Sequence, residues 1–394
     1  MGHPTSKVNL RIIGGTFSFY PRSYQTWFIK NCFKACNEFD RRKSLAKSLF
    51  ELQKENEKAK VRLVEISIET RPDFITKEEI KRLRKLGVTK VELGVQSIYD
   101  KILELNYRGH KVKETKIATR LLKDAGFKVS YQIMLNLVGS DFQKDFQMVK
   151  EIFKDPSFRP DFLKIYPLAL VKEAPIYKLY KKGEYRPYTK EELIKLLKLI
   201  KKEIPYYVRI ERVIRDIPIS YIVEGGTKFS HLRQIVLKEL EKEGEKCKCI
   251  RCREIREKYE GNEKLELFKE EYRACSGKEF FLSFETPDRK KLFSLLRLRI
   301  PSFYFERKKH FLSVLEGAAL IREIHTYGIQ LPISEKKEIS PQHKGLGKRL
   351  IKEAEQIAKK FGLKKIAVIA GVGVRDYFRK LGYRLKETYM IKEL

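Results

Sequence analysis

The sequence predicts an α/β chain in three parts: a parallel α/β barrel, a metal-binding connector and a compact α+β domain. Three observations carry this. Through the first half, short apolar runs alternate with helical stretches, and polar residues stand at the C-terminal ends of the runs. Cys247, Cys249 and Cys252 then crowd together among basic residues. Near the end, Gln342-His343-Lys344-Gly345-Leu346-Gly347-Lys348 opens an amphipathic helix.

The first strand-like run is 8–13, ending in Gly14-Gly15-Thr16-Phe17. A helical stretch follows through Tyr24, Trp27 and Phe39, with Cys32 and Cys36 spaced i, i+4 on its apolar face. Such a pair reads as core rather than as metal ligands. The second run, 61–68, ends in Glu69-Thr70-Arg71-Pro72-Asp73. Helix 76–86 leads to run 90–97, helix 112–124 to run 127–134, and a helix through Phe146 and Phe153 to run 161–167. Barrel chemistry sits at the C-terminal ends of strands, which singles out Glu69, Arg71, Gln96, Lys164 and Tyr166.

Three cysteines within six positions read as thiolate metal ligands. Zinc takes four tetrahedral ligands, and in structural sites all four come from protein. Cys275 is the expected fourth, with His231 the alternative. Lys246, Lys248, Arg251, Arg253 and Arg256 make the segment a candidate contact for a nucleic-acid backbone. After Gly277, runs 278–285 and 291–299 predict an antiparallel pair, 318–328 a further strand and 365–370 a last short one. Gly345 and Gly347 let backbone approach an anion at a helix N-terminus, so the turn before the helix suits a pyrophosphate. The expected boundaries are 1–218, 219–276 and 277–394.

The 394 residues carry 85 Lys+Arg against 52 Asp+Glu, a formal charge of +33. That excess implies a polyanionic partner. No apolar run is long enough to span a bilayer and no leader pattern opens the chain, so a cytoplasmic protein without a membrane partner is expected.

These stretches resemble the catalytic subunit of Elongator, a tRNA wobble-uridine carboxymethyl synthase. The last domain carries R-E-x-H-x-Y-G (322–328), Q-H-x-G-x-G (342–347) and G-V-G-V-R-x-Y-F-R-K-L-G-Y (371–383), as in its GNAT acetyltransferase domain. The first half carries G-H-P-x-x-K-V, G-G-T-F, I-E-T-R-P-D, E-L-G-V-Q-S, L-K-I-Y-P and R-x-I-R-D-I-P, as in its radical SAM barrel. The resemblance thus spans essentially the whole chain. It implies an incomplete radical SAM-type barrel, a zinc connector and a GNAT domain. It places the methionine part of SAM on Gly14, Gly15 and Thr16, and brings Lys7 to acetyl-CoA from the barrel side. Glu323, Ile324, His325 and Thr326 hold the pantetheine and carbonyl. Gln342, Gly345, Leu346, Gly347 and Lys348 hold the pyrophosphate. Tyr377 and Phe378 stand near the thiol, and His325 is an acid/base candidate.

The family's three-cysteine loop for the [4Fe–4S] cluster lies upstream of G-H-P, where this chain starts, so cluster ligands are not expected here. The family's H-x-M-P-G-L-P-G is replaced by Gln132-Ile133-Met134-Leu135-Asn136-Leu137-Val138-Gly139, which reads as a radical half under loosened constraint. The expected cofactors are acetyl-CoA and structural zinc. The expected partner is the anticodon stem-loop of a tRNA, with a homodimer or Elongator-like assembly. The expected activity is tRNA-dependent acetyl-CoA hydrolysis within wobble-uridine modification. A protein lysine acetyltransferase would need a peptide groove and leaves the charge unexplained. An inert tRNA-binding scaffold leaves the phosphate turn unexplained.

Overall fold

The computed structural model describes residues 5–40, 43–215, 217–228, 231–255, 263–328 and 345–394. The chain forms two compact units. One comprises Met1–Glu92, Ala118–Val129 and Glu254–Leu394; the other comprises Leu93–Ile117 and Ser130–Arg253.

In chain order the elements are β1 (Lys7–Ile12), α1 (Arg22–Asn37), α2 (Leu49–Asn56), β2 (Arg62–Thr70), α3 (Lys77–Lys85), β3 (Lys90–Gln96), α4 (Asp100–Leu105), α5 (Val112–Asp124), β4 (Lys128–Leu135) and α6 (Phe142–Lys154). Then come β5 (Phe162–Pro167), β6 (Ala169–Val171), α7 (Ile176–Lys181), α8 (Lys190–Glu203), β7 (Arg209–Arg212), β8 (Ile222–Gly225), α9 (Leu232–Lys242) and α10 (Ile250–Arg253). The last third holds β9 (Glu266–Ala274), β10 (Gly277–Glu285), β11 (Leu292–Ile300), α11 (Ser302–Glu306), β12 (Ala318–Thr326), α12 (Leu346–Lys360), β13 (Lys365–Val368), α13 (Arg375–Arg379), β14 (Arg384–Lys386) and β15 (Tyr389–Glu393).

Local chemistry sets the element ends. Ser48 and Glu51 close a capping box on α2, and Thr189 with Glu192 does the same on α8, satisfying amides that the helix leaves open. Thr76 and Asp141 cap α3 and α6. Every residue of β3 and β5 is buried, the pattern of strands covered on both faces.

Six strands form one sheet in the order β1-β2-β3-β4-β5-β7, parallel where β1 meets β2, β4 meets β5 and β5 meets β7. This is the curled parallel sheet of an incomplete barrel. A second sheet runs β14-β15-β13-β12-β11-β10-β9. It is antiparallel except between β12 and β13. The expected antiparallel pair is β10 with β11. The apolar face of α12 packs Leu346, Leu350, Ala354 and Ala358 into its core.

Within the first unit, early barrel residues and the mixed sheet share buried polar contacts. Arg299 pairs with Asp124 at 2.7 Å and with Glu279 at 2.9 Å. Arg322 holds Glu279 at 2.8 Å and donates to the Phe127 carbonyl, also at 2.8 Å. Asp124, Glu279, Arg299 and Arg322 are all at most 1% exposed. Removing one member would leave an uncompensated buried charge, which locks the end of α5 to β10, β11 and β12.

Candidate active site

The mixed sheet opens beside α12. Strand β12 pairs with β13 only from Ala318 to Ile321, after which Ile369 donates to the Ile321 carbonyl at 3.2 Å. Its remaining residues, Arg322 to Thr326, run on beside β11. The register there skips Arg322, because Arg297 faces Glu323 while Leu298 faces Ile321. Such a bulge bends a strand and re-aims its side chains. The start of α12 faces this opening. Gly345 caps it at φ 67 with no side-chain cap and no acid in the first turn, so its first amides and dipole suit an anion. Lys348 is exposed on that turn. Gln342 lies outside the described residues.

Four expected residues converge on one point. The Tyr377 hydroxyl oxygen lies 3.1 Å from where a Cβ on Gly347 would stand. Ile324 Cδ1 and Thr326 Oγ1 lie 3.6 and 3.8 Å from that same point. Ser294 reaches the Thr326 hydroxyl at 2.9 Å and donates to the His325 carbonyl at 3.0 Å, fixing the strand's end. Burial raises the Tyr377 pKa, keeping the phenol protonated. Phe378 is 2% exposed in the core, edge-on to Tyr377 at 5.2 Å and to Tyr383 at 5.8 Å.

Barrel residues supply charges to the same unit. Glu65 on β2 bonds to Lys128. Burial pushes its pKa up, but Lys128 and Lys90 outweigh this and pull it down to about 2. Glu323 is likewise raised by burial and lowered further by Arg297, Lys128 and His325, a net decrease; Arg297 Nε lies 2.7 Å from it. His325 is exposed and packs against Tyr327 at 4.3 Å. Lys7 lies in register with Arg62, and burial lowers its pKa. Gly371 and Gly373 press onto β2 beside it: a Cβ on Gly371 would lie 2.0 Å from the Val64 carbonyl oxygen, and one on Gly373 2.5 Å from Arg62 Cβ. Glu65, Lys128, Ser294 and Arg297 carried no sequence signal, since one charged or hydroxyl residue in an alternating strand reads as solvent-facing.

At the mouth of β1, Gly14 takes φ 109 and donates its N–H to Glu69 at 3.1 Å. Cβ atoms on Gly14 or Gly15 would meet nothing within 4 Å. Thr16 precedes a 3-10 turn, accepting from the Phe19 N–H at 3.0 Å. Arg71 binds Asp73 with two nitrogens. In the other unit Gln96 is buried at φ 63, and Lys164 and Tyr166 are buried. Asn136 lies in the stretch expected to be under loosened constraint. It takes φ 64, a conformation asparagine tolerates. Its side chain accepts from the Tyr188 N–H at 2.8 Å and the Tyr185 hydroxyl at 3.0 Å.

In the second unit, Cys247, Cys249 and Cys252 bring their sulfurs within 4.8 Å of one another, the one such metal-ligand group among the described residues. Lys201, fully buried, places Nζ 3.9 Å from Cys247 Sγ. Hydrogen bonds from Cys247 and then Cys252 pull the Cys249 pKa down. Three clustered sulfurs beside a buried cation fit three corners of a thiolate zinc site. Cys275 lies in the first unit, in the turn between β9 and β10. It is buried beside Lys123 and Arg299, and burial pushes its pKa to about 11. The expected phosphate contacts divide. Arg253 is 5% exposed and donates to the Lys248 and Tyr206 carbonyls at 2.7 Å each. Arg251 donates to the Glu211 carbonyl at 3.2 Å. Lys246 and Lys248 are exposed, whereas Arg256 lies outside the described residues.

A family model for the Radical SAM superfamily matches residues 6–149, and one for the Radical SAM C-terminal domain matches 160–242. The chain is 47% identical over 402 residues to the tRNA uridine(34) acetyltransferase of Methanocaldococcus jannaschii, covering 100% of this chain and 72% of that protein. It is 37% identical over 402 residues to human Elongator complex protein 3, covering 100% and 71%. The solved structure of the archaeal Elp3 of Methanocaldococcus infernus, with an N-terminal deletion, superposes with a TM-score of 0.90 at 46% identity, covering 100% of this chain and 92% of that one. No described helix is long and apolar enough to cross a membrane.

Proposed function

The chain belongs to the family of tRNA uridine(34) acetyltransferases and Elongator complex protein 3, acyltransferases of tRNA wobble modification, and from that premise we propose that it binds acetyl-CoA in the β12–α12 opening and hydrolyses it under the control of bound tRNA. The convergence of the Tyr377 hydroxyl, Gly347, Ile324 and Thr326 supports this reading most directly.

On this reading residues 277–394 form a GNAT domain, 1–218 the barrel and 219–276 the connector. The pyrophosphate lies on the amides of Leu346, Gly347 and Lys348, with Gln342 and Gly345 on the turn. The backbone from Glu323 to Thr326 holds the pantetheine. His325 takes a proton from water as its oxygen attacks the acetyl carbonyl. The carbon–sulfur bond breaks, and the leaving thiolate takes its proton from Tyr377. The products are acetate and free CoA. Phe378 braces the Tyr377 ring, and Lys7 approaches from the barrel side. General acid and base groups at these places contribute roughly 100- to 10,000-fold each.

The family implies SAM and a [4Fe–4S] cluster. The open Gly14-Gly15-Thr16 loop fits the amino-acid end of SAM. Among the described residues no three-thiolate set stands with it: Cys32 and Cys36 lie on α1, and no third metal-ligating side chain groups with them. No step through the cluster follows from these residues.

The test is acetyl-CoA turnover with and without tRNA, with a lysine peptide as control. Stimulation by tRNA is expected. Equal rates without tRNA, or acetylation of the peptide instead, would replace this reading with a protein lysine acetyltransferase. Lys348→Glu sets a carboxylate against the pyrophosphate and should abolish CoA binding. For the connector we propose one zinc per chain on Cys247, Cys249 and Cys252. Elemental analysis finding none would reject it, and zinc retained in Cys275→Ser would remove Cys275 as the fourth ligand.

A further inference from the structure

Helix α1 has a sharply divided surface. Gln25, Ile29 and Phe33 form its buried face. Gln25 fixes its start by donating to the Tyr20 carbonyl at 2.6 Å. The opposite face carries the exposed rings of Tyr24 (43% exposed) and Trp27 (57%), and Tyr20, 49% exposed just before the helix, extends the row. Their centroids follow one another at 5.4 and 5.6 Å. Phe19, 76% exposed, stands at the near end, edge-on to Phe74 at 6.4 Å, and the Arg71 guanidinium covers the Phe74 ring at 5.4 Å.

Charge on the helix has one sign. Its sixteen residues include Arg22, Lys30 and Lys34 and no acid. The first acid beyond it, Glu38, lies 4.0 Å from Lys34. The row begins just past the Gly14-Gly15-Thr16 loop, at the C-terminal end of β1.

Large exposed apolar groups in contiguous array mark a contact surface. Protein-binding surfaces also use aromatic rings, so charge decides the occupant. This face offers rings and two phenol hydroxyls on a helix without acids, in a chain of net charge +33, which favours a polyanion. That is the composition of a surface that stacks unpaired bases while cations track the backbone. We propose that Tyr20, Tyr24 and Trp27 form a stacking platform for the unpaired bases of an RNA loop. The proposal rests on the tRNA reading above and gives that RNA a place on this chain. Buried Gln25, Ile29 and Phe33 hold the platform rigid, so stacking costs no ordering of the helix.

Trp27 is the single tryptophan of the sequence, so its fluorescence reports on this face alone. The probe is an RNA anticodon stem-loop, compared with a blunt RNA duplex of equal length. The stem-loop should quench Trp27 saturably and the duplex should not. Trp27→Ala and Tyr24→Ala should each weaken stem-loop binding roughly tenfold. The salt slope should be unchanged, because no phosphate contact is lost. Trp27→Phe, which keeps a ring, should bind nearly as the parent does. Tight stem-loop binding without a fluorescence change, or equal quenching by the duplex, overturns the platform while leaving the tRNA reading intact. Absence of any RNA binding overturns both. Unchanged RNA affinity together with an altered oligomeric state in the alanine variants identifies the face as a contact between copies.

Discussion

Two glycine loops in the first unit look alike in sequence and do opposite things. In Gly14-Gly15-Thr16, a Cβ on either glycine would meet nothing within 4 Å. In Gly371-Val372-Gly373, a Cβ would strike β2 backbone at 2.0 Å or the Arg62 side chain at 2.5 Å. The first loop is open, which is what a ligand that must touch backbone requires. The second is filled by its own chain, and there the missing side chain lets two backbones meet. A glycine therefore marks a close approach, and only the surroundings say whether the visitor is a ligand or another strand.

The largest expected effect is on the filled loop. Gly371→Ala forces a methyl into the Val64 carbonyl and should destabilise the first unit by about 3 kcal/mol, measured by thermal unfolding. A stability loss near zero would show that the loop rests loosely on β2. Next comes the ion pair behind it. Arg375 meets Glu57 at 3.0 Å, with 4% and 6% of their side chains exposed. Arg375→Met should cost about 2 kcal/mol, below the range for breaking a buried pair outright, because Arg379 still holds Glu57 at 2.7 Å. A larger loss in Arg379→Met than in Arg375→Met would reverse that ranking.

A smaller effect depends on pH. Glu65, next to Val64, has its carboxyl held down to about 2. A depressed carboxyl stabilises fully above its unfolded value, and that stability disappears as pH falls through the folded one. The first unit should thus lose stability between about pH 4 and pH 2, and Glu65→Gln should flatten this part of the profile. An unchanged slope in the variant would assign acid unfolding to other carboxylates. The smallest effect falls on the open loop: Gly15→Ala should alter stability by no more than about 0.5 kcal/mol. If it nevertheless weakens SAM binding in a titration, the open space belongs to the ligand. If SAM binds as before, Gly15 is not part of that site.

Periodicity alone located strands β1 to β5 and β10 to β13 and helices α1, α3, α5, α6 and α12, because runs of apolar residues and the 3.6-residue stripe in helices are written in the order of the residues. Helix 112–124 is a direct example. The start of α12 at Gly345 was legible for the same local reason, a glycine ahead of an amphipathic stripe. So was the thiol cluster, since its three sulfurs lie within one short segment. What tertiary structure alone decided depends on residues distant in sequence. It buried Arg253, which a charge run presents as a phosphate contact, and left Lys246 and Lys248 exposed. It placed Phe378 in the core and turned its neighbour Tyr377 toward Gly347. It set Glu65 of an early strand among the charges that also act on Glu323 and His325 of a late one. Spacing along the chain encodes which face a residue occupies, but not which distant face it will meet.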